Sequence, residues 1–83
     1  MPNLIGGSSY NRIGGSNYAS TIAGGYVNDI GTNSPFSVVG GGADNNIGPG
    51  SAGSVIAGGF YNDIGPDSIM SAIGGGVDNN IAG

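Results

Sequence analysis

The only acidic side chains are Asp29, Asp44, Asp63, Asp67 and Asp78, and the only base is Arg12. A carboxylate does acid–base chemistry with a second titratable group beside it, and holds a metal when several donors converge. The chain has no His, Cys, Glu or Lys to complete such a set. Asp29 and Asp63 sit in equivalent, outward-facing positions that imply neither a base nor a metal partner. These residue types predict no catalytic residue, no metal site, no cofactor and no enzyme activity. The other recurrent polar side chains are Asn11, Asn28, Asn45, Asn62 and Asn79, and none of them opens an Asn-x-Ser/Thr glycosylation signal. Their constant spacing points to an architectural role.

That spacing is a 17-residue repeat with registers starting at 4, 21, 38, 55 and 72, and no gap is needed to align them. Ile follows each Asn by two residues, at Ile13, Ile30, Ile47, Ile64 and Ile81. A second apolar column is Ile5, Ile22, Val39, Ile56 and Ile73. Gly holds 7, 24, 41, 58 and 75, and Ser holds 20, 37, 54 and 71. Within each repeat a small polar residue, a variable residue and Ile or Val recur twice, so each repeat reads as two strand-plus-turn units. Residues two apart share a face of a strand, which places Ser and Ile, or Asn and Ile, inward together. The glycines that follow supply turns with positive φ, and Pro35, Pro49 and Pro66 lie at corners where a missing N–H harms no ladder. The predicted fold is all-β: a parallel β-solenoid, or β-roll, of five coils with two short strands each, forming one domain over 1–83.

Stacked coils give each side chain an identical neighbour about 4.8 Å away. The asparagine column is then a hydrogen-bonded ladder that satisfies amides costly to bury alone. Outside the Ser-type strand lie Leu4, Thr21, Val38, Val55 and Ala72, a flat and mostly apolar strip. Outside the Asn-type strand lie Arg12, Asp29, Asn46, Asp63 and Asn80, a solvated one. A contiguous apolar strip on so small a protein marks an interface, and it is the candidate seam of a homo-oligomer.

A doubled period overlies the first. Repeats two and four share the IAGG and NDIG wording and carry Tyr26, Phe36, Phe60, Tyr61, Ile69 and Met70, whereas repeats three and five share GGG and DNNI. Bulky corners on alternate coils suit lateral contacts or a carbohydrate-facing surface, and duplication of a two-coil unit accounts for them equally.

Composition bounds the partners. A net charge of -4 with one base offers no cluster for a phosphate backbone, so nucleic acid is not expected. No apolar run reaches the roughly 20 residues that span a bilayer, so membrane insertion is not expected. The absence of cysteine leaves the redox compartment open. With 20 glycines in 83 residues the core is thin, and self-association would supply burial. Neither end carries a polar capping coil, and the phases of the two ends nearly meet, so head-to-tail stacking into a filament and excision from a longer fibre are both expectations.

The whole chain, through its S-x-I-x-G-G-x-x-N-x-I-G wording, resembles the Gly/Ser/Asn/Ile-rich repeats of phage and viral tail-fibre-like proteins. It is also similar in logic to the β-roll heads of trimeric autotransporter adhesins, whose repeats are shorter. The resemblance implies a homotrimeric extracellular shaft or head on a virion or cell surface, used for attachment, with a cell-surface glycan as candidate partner. Ice-binding β-rolls resemble it in their N-x-V-x-G half-coils, although Thr21 is the only Thr in the candidate face. The GGGADNNI segment resembles calcium-binding nonapeptide rolls, but its spacing is one residue short, and the even coils lack an Asp where Asp44 and Asp78 stand.

Overall fold

The computed structural model describes residues 2–7 and 9–82. The chain winds through five coils, each giving one two-residue strand to each of two parallel sheets. The first sheet holds β1 (Leu4–Ile5), β3 (Thr21–Ile22), β5 (Val38–Val39), β7 (Val55–Ile56) and β9 (Ala72–Ile73) in that order. The second holds β2 (Arg12–Ile13), β4 (Asp29–Ile30), β6 (Asn46–Ile47), β8 (Asp63–Ile64) and β10 (Asn80–Ile81). Register advances by one repeat per coil: Ile22 pairs with Val39, and Ile30 with Ile47. The parallel β-solenoid predicted from the 17-residue period is the fold that the chain adopts. Among the described residues there is no helix long and apolar enough to cross a membrane.

The core is one row of aliphatic side chains from each sheet. Ile22, Ile30, Val39, Ile47, Ile56 and Ile64 are fully buried, Ile73 nearly so, and Ile13 and Ile81 pack against them partly buried. Ile5, expected in the same column, is 43% exposed because β1 is the edge strand of its sheet. Each buried side chain of this kind contributes about 2 kcal/mol, so a row this thin needs the polar ladders beside it.

Those ladders follow from a reversal in the backbone. In the strands, N–H groups point to the following coil: Val38 donates to Ser54 O at 2.9 Å and Gly40 to Ile56 O at 2.8 Å. At three corners of the same coil they point back. Asp44 N–H donates to Tyr26 O at 3.0 Å, Gly50 N–H to Thr32 O at 3.0 Å and Gly53 N–H to Pro35 O at 2.9 Å. All three residues are left-handed, with φ of 56°, 75° and 70°. The next N–H also faces backwards and meets a side-chain oxygen of the preceding coil. Asn45 N–H donates to Asn28 Oδ1 at 3.1 Å, Ser51 N–H to Ser34 Oγ at 3.0 Å and Ser54 N–H to Ser37 Oγ at 3.3 Å. A left-handed residue followed by an inward Asn or Ser is therefore the unit of every corner.

Glycine does less of this turning than the sequence suggests. Gly25, Gly42, Gly59 and Gly76 take φ of 90–103°, but the corner residues themselves include Tyr10, Val27, Phe36, Tyr61 and Met70 at φ of 58–60°. The glycine after the second strand is needed for a different reason. A Cβ on Gly31 would stand 2.6 Å from Pro49 N, and one on Gly48 would stand 2.8 Å from Gly65 C.

Candidate interaction surfaces

Asn28, Asn45 and Asn62 are fully buried, whereas Asn11 and Asn79 belong to the outermost coils and are more open. Each of the three buried ones links three coils. Asn45 Nδ2 lies 3.1 Å from Asn28 Oδ1, 2.8 Å from Gly41 O in its own corner and 2.9 Å from Gly59 O in the next coil. Asn45 Oδ1 in turn accepts from both Asn62 N–H and Asn62 Nδ2 at 3.1 Å. Each amide is thus committed to the scaffold. Ser20, Ser37 and Ser54 form a second ladder, with Ser37 Oγ donating to Ser51 O at 3.1 Å.

A third inward column, Asn17, Ser34, Ser51 and Ser68, escaped the sequence reading. Asn17 Nδ2 donates to Gly14 O at 2.9 Å and to Gly31 O at 2.8 Å, and its Oδ1 accepts from Ser34 N–H. Ser34 Oγ donates to Gly48 O at 2.9 Å. The available signal was the same 17-residue spacing, masked by the exchange of Asn for Ser. Among the described residues no buried side-chain N or O lacks a partner.

The outward columns divide as their residue types suggest. Leu4, Thr21, Val38, Val55 and Ala72 lie in line on the outer face of the first sheet; Thr21 and Val38 are half-buried and the other three exposed. On the second sheet the polar column bonds across strands. Arg12 Nε meets Asp29 Oδ1 at 2.9 Å, and Asn46 Nδ2 donates to Asp63 Oδ1 at 2.7 Å. Asn80, with its amide oriented to donate, reaches Asp63 Oδ2 at 3.1 Å. Alternating Asp with a donor keeps like charges two coils apart, roughly 9.6 Å, instead of directly opposite.

The large exposed apolar side chains gather at the corners. One corner presents Tyr10, Tyr26, Phe60, Tyr61 and Val77, and the corner that closes the coil presents Tyr18, Phe36, Ile69 and Met70. Tyr10 and Tyr26 meet edge to face with centroids 5.8 Å apart, as do Tyr18 and Phe36 at 5.1 Å. The described residues form no pocket, and no three His, Cys, Asp or Glu among them converge. The chain matches no protein-family model, no curated protein and no solved structure with which it was compared.

Proposed function

We propose that the chain is a structural and adhesive fibre element, a segment of trimeric β-solenoid shaft or head displayed outside the cell or on a virion. The observation that carries this reading is the sameness of successive coil contacts. Coil three bonds to coil four through the same backbone, Asn and Ser hydrogen bonds by which coil two bonds to coil three. An architecture of this kind extends by addition of coils, and its repeated polar side chains are committed to holding it together. The Leu4, Thr21, Val38, Val55 and Ala72 strip supplies the lateral seam. Its residues stand in line from coil to coil, on a different sheet from the charged column.

Sedimentation analysis tests the assembly. The native chain is expected to run as a trimer, and Val38→Asp with Val55→Asp, which sets carboxylates in adjacent coils of every protomer, is expected to release monomers. A native monomer, or an unchanged trimer in the double variant, removes the seam. Electron micrographs of the same sample separate a discrete trimer from the alternative, a filament that grows end to end.

A further inference from the structure

At the corner between the first and second strands the fold requires a left-handed residue but does not require an exposed aromatic one. Tyr10 and Tyr61 are left-handed, at φ of 60° and 59°, where an L side chain costs roughly 1–2 kcal/mol relative to a relaxed backbone. They are also 77% and 58% exposed, so their rings gain little from burial. The same column holds a half-buried Val27 in coil two, and Asp44 and Asp78, which tolerate this backbone, in coils three and five. Strained residues with exposed apolar side chains point to use by a partner, and since Phe36 and Met70 share both features, it is the bridged line of side chains beside Tyr10 and Tyr61 that sets this corner apart.

Geometry narrows the partner. Tyr26, Ala43, Phe60 and Val77 are joined by parallel bridges, so this column is a straight line at strand spacing. Tyr26 and Phe60 therefore project from one rigid line two coils apart, roughly 9.6 Å. Ala43 leaves a shallow step between them, flanked by Asp44 and Tyr61. Neither Asp44 nor Asp78 makes a side-chain hydrogen bond or ion pair among the described residues, in contrast to Asp29 and Asp63. Rings at that pitch suit the C–H faces of alternate sugars in an extended β-1,4-linked chain, and carboxylates accept hydrogen bonds from the hydroxyls between. Arg12, the only base of the chain, is committed to Asp29 on the second sheet. A sulfated, sialylated or uronate glycan would meet unpaired carboxylates here, and so would a second copy of this acidic chain. We infer that this corner binds an uncharged, extended β-linked polysaccharide along the solenoid axis. The inference rests on the adhesive half of the proposed function and names its partner and its surface.

The test is titration calorimetry of the native chain with cellohexaose and with chitohexaose, beside a hyaluronan hexasaccharide. Phe60→Ala with Tyr61→Asn gives coil four the alanine that coil three carries at Ala43 and a left-handed-tolerant residue isosteric with Asp44, so the variant is expected to fold. It is expected to weaken binding of the neutral hexasaccharide by about tenfold, the loss of the Phe60 platform and of the Tyr61 ring beside it. Phe36→Gly with Met70→Gly, at the other corner, is expected to leave binding unchanged, as Gly53 already occupies that column. Hyaluronan is expected not to bind. Failure of both neutral probes, equal affinity in the Phe60/Tyr61 variant, or a change in its oligomeric state in place of its affinity overturns the inference. Sedimentation of the native chain reads the fibre proposal separately, so a trimer that binds neither sugar sinks the glycan alone.

Discussion

An asparagine in this solenoid acts as a short piece of backbone. Its Oδ1 receives an N–H that a left-handed residue has turned towards it, and its Nδ2 reaches carbonyls of its own coil and the next. Asn45→Leu and Asn62→Leu should each cost about 3 kcal/mol or more, because each strands several buried donors and acceptors. Asp63→Asn on the solvated face should stay within about 0.5 kcal/mol, since an amide can replace one of its acceptors. Similar urea midpoints for all three would mean that the inward and outward faces have been exchanged. Val27 stands at φ 58°, where a β-branched side chain is least at ease. Val27→Asn should therefore raise stability by about 1 kcal/mol, and a fall in melting temperature would show that the Val27 side chain makes a contact that outweighs its strain.

At the scale of the coil, two kinds of glycine are separable by experiment. A Cβ on Gly40 would collide with the carbonyl oxygen of Ala57 in the next coil, whereas one on Gly24 would meet nothing within 4 Å. Gly40→Ala should cost at least about 2 kcal/mol and Gly24→Ala much less; thermal unfolding of the pair decides, and equal losses would refute the account. This contrast also marks where sequence reading stopped. The period, both aliphatic columns and the asparagine column were legible because one residue type repeats at them, with Val39 for Ile the only exchange. The Asn17, Ser34, Ser51 and Ser68 column was not, because two residue types share its one chemical task of offering an oxygen. The left-handed corners were hidden more deeply. Nothing in the propensity of Tyr, Val, Phe or Met announces φ near 60°; the demand comes from N–H groups that must face the preceding coil, which only the stacked structure reveals.

For the whole molecule the repeating unit is the coil pair. Gly40 lies beneath Ala57, and Asn46 lies between Asp29 and Asp63. Duplicating residues 38–71 preserves both alternations, so the longer chain should melt above the parent. Duplicating 55–71 alone sets Asp63 against its own copy at about 4.8 Å and puts an alanine Cβ where a glycine is required. That chain should melt below the parent despite its larger core. Equal gains from the two insertions would show that the single coil is the unit after all.

The gapless Gly/Ala alternation also constrains how a gene for such a chain can change. Tandem DNA repeats expand and contract by slippage and unequal recombination, and a repeat with no insertions keeps the reading frame through every such event. A frame-preserving change is not always a viable one here. Events that make two even coils adjacent, by duplicating an even coil or losing the odd one between them, bring Ala under Ala and Asp against Asp, and the products would be culled for poor folding. Events that move an even number pass unnoticed by the fold. Alleles of such a gene should therefore never carry two even coils in succession, a rule of grammar set by a collision between one methyl group and one carbonyl oxygen.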